Sequence, residues 1–283
     1  MSNCDSCPSK GTCNSEEGCS KMIPKYGNIK NIIGVISGKG GVGKSTVTGI
    51  LAAELSKKGF KVGVLDADIT GPSMPRILGI SEKRAQMIQI EGSENEPRFV
   101  PVETASGIKV ISLNLLIENE DQPVIWRGPL VTGVLNQMYG DTIWGELDYL
   151  LIDMPPGTGD IALTIMQTMP LTGMVVVSTP QDMVSMIVKK VVVMIEKMDI
   201  ELLGVVENMS YIKCGSCGEK IRVFSKKPAE EHAEYLGAPL LAEMPINLDM
   251  VESLEKGQME DFIKNSEEYD EFFNNFMKKL GNK

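Results

Sequence analysis

The sequence predicts a doubly wound α/β fold, a mostly parallel sheet with helices on both faces, and three features point to it. From Lys30 onward, short runs rich in Val, Ile and Leu alternate with longer stretches of helical spacing, as in βα units on a parallel sheet. One apolar run passes straight into a glycine-rich loop that opens a helix, and two others end in aspartate. No internal repeat is visible, nor a linker that would split the core in two.

The apolar runs predict strands over 32–37, 61–66, 108–113, 149–153, 174–178, 202–207 and 240–244. Helical spacing occupies 44–58, 160–169, 182–198 and 229–236, several of these opening after Gly, Pro or Asp. Function is expected at the C-terminal ends of the strands. Residues 81–107 are polar and weakly patterned and read as an insertion loop or hairpin. Residues 1–28 are rich in Cys, Ser, Gly, Asn and charge without apolar periodicity, so a Cys-rich extension is expected ahead of one domain over 29–283. Over 266–280, Phe272, Phe273, Phe276 and Leu280 recur at helical spacing. The polar side of that segment begins with Glu267, Glu268, Asp270 and Glu271, which anionic lipid repels, so packing on the domain is expected rather than membrane anchoring. The 18 methionines, Met183, Met186, Met194 and Met198 among them, read as core filling, and His232, the single histidine, as a surface-helix residue.

The formal net charge of −10 offers nucleic acid no overall attraction, because phosphate binding relies on clustered Lys and Arg. The N-terminus lacks the basic-then-apolar order of a leader, and no apolar run approaches the roughly 18 residues needed to cross a bilayer. A cytoplasmic protein with neither nucleic acid nor membrane as main partner is expected. In a reducing compartment its six cysteines read as thiols or metal ligands rather than disulfides.

Residues Gly38, Lys39, Gly40, Gly41, Val42, Gly43, Lys44, Ser45 and Thr46 form a complete G-x4-G-K-S match between a strand and a helix. Glycines there let backbone N–H groups turn inward around phosphates, and the helix N-terminus adds its positive end. Lys44 is expected at the β- and γ-phosphates and Ser45 on Mg2+, with Thr46 one step further along. Two acidic segments follow strands, residues 66–73 (DADITGPS) and 153–160 (DMPPGTGD). Asp153, ending an apolar strand, is assigned to Mg2+. Asp160 has two readings, a switch carboxylate or the N-cap of the helix it opens. The absence of an N-K-x-D motif favours ATP over GTP.

Lys39 stands where a second lysine defines the deviant Walker A class of P-loop ATPases, which includes partition and Min-system ATPases, nitrogenase iron protein and cluster carriers. The resemblance implies that Lys39 crosses to the nucleotide of a partner subunit. It implies too that Asp68 positions the hydrolytic water, with Asp66 supporting it or the metal shell. Residues 205–210 (VVENMS) resemble the base-recognition segment of the class, where Asn208 would bond the purine; a turn residue is the alternative reading.

Cys214 and Cys217 form a CxxC a few residues later, half of a four-thiolate shell. In a two-fold homodimer the pairs from both subunits converge on one 4Fe-4S cluster. With the loop, both switches, residues 126–129 (WRGP), 178–182 (STPQD) and the CxxC, residues 30–256 resemble the Mrp/ApbC family of iron-sulfur cluster carriers. That resemblance implies an ATPase whose recipients are apo iron-sulfur proteins, with a cluster-assembly scaffold as donor. Cys4, Cys7, Cys13 and Cys19 are spaced C-x2-C-x5-C-x5-C. The first three match the last three ligands of an N-terminal cluster in eukaryotic relatives; the upstream ligand is absent and Cys19 lies downstream instead. Structural zinc is the alternative at both cysteine sets. Two other functions remain open, an ATP-gated iron-sulfur reductase and a partition or Min-type positioning ATPase.

Overall fold

The computed structural model describes residues 21–69, 71, 73–89, 97–117 and 128–281. β1 (Tyr26–Ser37) feeds the glycine loop and α1 (Lys44–Lys57), and β2 (Val62–Asp66) and the short α2 (Met74–Ile77) follow. β3 (Gln86–Ile88) and β4 (Arg98–Val100) form a separate antiparallel pair, while β5 (Val102–Glu103) turns back on β6 (Lys109–Ile111). Next come α3 (Gly128–Gly140), β7 (Ile143–Asp153), α4 (Asp160–Thr168), β8 (Gly173–Ser178), α5 (Asp182–Lys197), β9 (Leu202–Lys213) and β10 (Lys220–Arg222). α6 (Ala229–Leu236), β11 (Leu240–Pro245), α7 (Leu248–Glu255), α8 (Met259–Lys264) and α9 (Asp270–Gly281) complete the chain.

The main sheet runs β10-β9-β8-β1-β7-β2-β6-β5, with β11 on the other edge of β9; β5 and β10 are antiparallel and the rest parallel. β2, β8 and the C-terminal halves of β1 and β7 are buried along their length, as expected of strands covered on both faces. The parallel pairing of β7 with both β1 and β2 places Asp153 beside Val35 and Asp66. The C-terminal ends of these strands therefore deliver the glycine loop and both acidic segments to one place.

Each predicted strand is present, several with different bounds. β1 begins at Tyr26 and β7 at Ile143, because they pair from there, with one register shift after Tyr26, although their first residues are only partly buried. The expected domain boundary at residue 28 thus falls inside a strand. Residues before it are docked as well: the Met22 amide donates to Thr168 O and the Lys25 amide to Gly140 O. The strand expected over 108–113 stops at Ile111, since Ser112 turns its hydroxyl onto Asp66 and a 3-10 turn, Leu113–Leu115, follows. Met194 is buried and Met198 packs on the core, whereas Met186 is exposed, contrary to the core reading.

α9 buries Phe272, Phe273, Phe276 and Leu280 on the domain. The Phe276 ring meets Tyr149, which is in turn edge-on to Phe60, and Asn275 donates to Leu241 O. No helix of the described residues is long and apolar enough to cross a membrane. Phe276→Ala should lower unfolding free energy by roughly 3 to 5 kcal/mol, the range for truncating a buried aromatic. Denaturant titration checks this, and a loss below about 1 kcal/mol would show that α9 contributes little to the core.

Candidate functional site

The loop is shaped by glycines at 41 and 43, whose φ angles of 80° and 81° are left-handed. A Cβ at Gly40 or Gly41 would meet nothing within 4 Å, and both residues are exposed, so this part of the loop is unobstructed. A Cβ at Gly43 would instead lie 2.2 Å from Asn208 Nδ2. α1 starts at Lys44 with no side-chain cap and no acidic residue in its first turn. Its first amides are thus left to an anion, aided by the helix dipole.

Asp153 is fully buried and is held by three side chains of α1. Its Oδ2 lies 2.8 Å from Lys44 Nζ and accepts from Ser45 Oγ at 2.6 Å, and its Oδ1 accepts from Thr48 Oγ1 at 2.8 Å. Lys44 also reaches Asp68 Oδ2 at 3.5 Å. Thr48 carried no sequence signal beyond its place one helical turn after Lys44. Asp66 is buried beneath the switch segment, where it accepts from the amides of Asp68 (3.2 Å) and Met74 (3.3 Å) and from Ser112 Oγ (3.1 Å). Burial, then the facing Asp153 carboxylate, push Asp66 up to about 8 against the pull of Lys44, Ser112 and the Met74 amide. Its oxygens are taken up by the Asp68 and Met74 amides and Ser112 Oγ, and its place is under the loop, as a bracket.

A hydroxyl, two carboxylates and a row of amides beside one ammonium suit a phosphate chain with a hard divalent cation, which takes oxygen ligands. Beyond the loop lies a mainly apolar cavity of about 160 Å³, bordered by Thr46, Asn208, Pro245, Ile246, Met250 and Tyr269. Apolar walls with a few polar groups are what a flat base requires. Asn208 Nδ2 donates to Val42 O at 2.9 Å, so this residue joins β9 to the loop. Lys39 is exposed at the loop's tip. Asp160 is the first residue of α4, and the N-cap is Gly159, so the N-cap reading of Asp160 does not hold.

Cys214 and Cys217 lie in the turn between β9 and β10. The Cys214 amide donates to Glu219 O, and the Gly218 amide, at φ 75°, donates to Cys214 O. The N–H of Ser216, then that of Cys217 and the Cys217 thiol, hold Cys214 below the usual thiol range. Two amides directed at the Cys214 sulfur favour the thiolate form, which is the form that binds a metal. Among the described residues no group of three or more His, Cys, Asp or Glu stands together as a metal site, so this pair is an incomplete shell. Cys4, Cys7, Cys13 and Cys19, like Trp126 and Arg127, lie outside the described residues. His232 is more than a surface residue: its Nδ1 is 2.6 Å from Oε2 of the buried Glu207.

The family model described as ParA: NUBPL iron-transfer P-loop NTPase matches residues 28–281. The iron-sulfur cluster carrier protein of Clostridium perfringens (strain 13 / Type A) is 64% identical over 281 residues, 96% of this chain and 99% of its own. Among solved structures, a nucleotide-binding protein from Archaeoglobus fulgidus in complex with ADP is 40% identical, with a TM-score of 0.73 over 87% of this chain and 92% of its own. The MinC:MinD cell division protein complex of Aquifex aeolicus aligns with a TM-score of 0.62 at 19% identity over 89% of this chain and 96% of that one, a likeness of fold alone. The chain belongs to the ParA/NUBPL family of iron-transfer P-loop NTPases, the family in which the Mrp/ApbC-type carriers fall.

The geometry separates the two switch aspartates. Because Asp66 is buried and its oxygens are occupied by donors of the switch segment and Ser112, Asp66→Asn should leave kcat for ATP at pH 7 within about threefold, whereas Asp68→Asn should lower it by about a hundredfold, the scale of a lost acid-base or water-orienting group. Steady-state hydrolysis by both variants checks the assignment, and the reverse ranking would exchange the two roles.

Proposed function

We propose that this member of the family is an ATP-dependent iron-sulfur cluster carrier, with a 4Fe-4S cluster held between two copies of the chain and passed to apo iron-sulfur proteins. The observation that supports it best is the placement of both chemistries on one strand. β9 carries Asn208 against the glycine loop and, six residues on, Cys214 in the turn at its end.

In this reading the loop amides and Lys44 bind the phosphates, and Ser45 with Asp153 hold Mg2+. Magnesium, when bound, supplies charge neutralisation at the β- and γ-phosphates. Asp68 orients the attacking water, and the cavity beside Asn208 takes the base. Lys39, exposed on the loop, reaches the partner's nucleotide, and closure of the pair brings two Cys214 and Cys217 turns to one cluster. Hydrolysis loosens that closure and so times loading from a cluster-assembly scaffold or transfer to the recipient. Cys4, Cys7, Cys13 and Cys19 form a second thiolate centre, for a cluster or for zinc.

The two alternatives have less support. An ATP-gated iron-sulfur reductase of the nitrogenase type draws its ligands from separated positions, unlike Cys214 and Cys217. A Min-type membrane tail needs a free apolar helix face, and that of α9 is buried.

The test is iron content and absorption after anaerobic reconstitution, compared between the chain lacking residues 1–20 and the same chain with Cys214→Ala and Cys217→Ala. Truncation at residue 20 spares the docked contacts of Met22 and Lys25. The truncated chain should hold about two irons per subunit, as a cluster shared by two chains requires, and the double variant close to none. Full iron in the double variant, or a colourless zinc protein, would overturn the carrier reading.

A further inference from the structure

The glycine loop and the cysteine turn are connected by side chains as well as by β9 itself. We infer that Ser210, Glu243 and Arg222 form a positioning relay that passes the state of the nucleotide loop to the Cys214 and Cys217 turn. The relay rests on the carrier reading for its purpose, although the movement it describes needs no cargo.

The upstream contact is close. Asn208 donates to Val42 O, and its amide occupies the space a Cβ at Gly43 would need, so a shift of the loop backbone displaces Asn208. Met209 follows with φ 55°, a left-handed conformation that costs a non-glycine residue energy and is kept only where the surroundings enforce it. This joint delivers Ser210 into full burial.

Ser210 Oγ lies 2.8 Å from Glu207 Oε1 and 2.8 Å from Glu243 Oε1. A hydroxyl has one proton, so it serves one carboxylate at a time. On the Glu207 side stands His232, at 2.6 Å from Oε2. On the Glu243 side stands Arg222, whose Nη1 is 2.5 Å from Oε1 and 3.2 Å from Ser210 Oγ. The hydroxyl can turn to either carboxylate, each with its own cationic or imidazole neighbour, and that choice is the two-state element the relay uses.

The downstream contact is equally direct. Arg222 sits on β10 opposite Tyr211, and Lys220, opposite Lys213, bonds Glu243 Oε2 at 2.8 Å and covers the Tyr211 ring. Glu243 therefore grips both ends of β10, the strand that closes the cysteine turn. It lies two residues before Pro245, which borders the apolar cavity, so β11 offers a second route from the nucleotide to the same carboxylate.

The relay is tested on the full chain, reduced and metal-free, by alkylation with iodoacetamide read at Cys214 and Cys217 by peptide mass spectrometry. Rates are compared without nucleotide and with Mg2+ and a non-hydrolysable ATP analogue. In the wild type the analogue should change the rate at least about fivefold. Glu243→Gln, Arg222→Ala and Ser210→Ala should shrink that response below about twofold while analogue affinity and sedimentation match the wild type. Ser210→Ala keeps the Arg222–Glu243 pair, so its loss of response separates a relay from a mere clamp on the hairpin, and Arg222→Lys should restore at least half of it. A full response in all three variants, or none in the wild type, overturns the relay. A response present in the wild type and lost in the three variants, in a chain that takes up no cluster, upholds the relay and overturns the carrier reading instead.

Discussion

Everything at the nucleotide end depends on one buried carboxylate. Asp153 has no exposure to solvent, and an ionised group so placed costs several kcal/mol unless it is paired and hydrogen-bonded. Lys44, Ser45 and Thr48 meet that requirement from a single turn of α1, and the parallel pairing of β7 with β1 and β2 supplies the position. The interaction fixes the angle at which the helix leaves the glycine loop. It thereby fixes where the loop amides converge. Asp66, one strand away, braces the switch segment from beneath by accepting from the amides of Asp68 and Met74.

The cysteine turn is built for softer chemistry. β9 outruns its neighbour β8, which stops opposite Glu207, and pairs with β10 in a short antiparallel hairpin at the edge of the sheet. The turn at its tip directs amides at Cys214 and leaves Cys217 exposed, so the sulfur ligands face outward. Lys213 and Lys220 tie the hairpin's base to Glu268 and Glu243. A firm base under an open tip suits a site completed by a second molecule.

Much of this was legible in the sequence for physical reasons. Buried parallel strands are nearly uninterrupted apolar runs, so the central halves of β1, β2, β7 and β8 stood out, and α6 was read at its observed bounds. The glycine loop was legible because its backbone requires glycine at Gly41 and Gly43. The strand extensions were not, since residues 26–31 and 143–148 are not continuously buried. Nor was the role of Thr48, Ser112, His232 or Arg222 visible: each acts through a partner at least 12 residues away in sequence, and no local pattern marks such pairs.

The central claim is that one cluster is shared by two chains through Cys214 and Cys217. Its most direct measurement is native mass spectrometry, under anaerobic conditions, of the reconstituted chain lacking residues 1–20 with Mg2+ and a non-hydrolysable ATP analogue. The account predicts a species of two chains, two nucleotides and a single 4Fe-4S cluster. A single chain bearing its own cluster, or a two-chain species whose mass holds two, would contradict it.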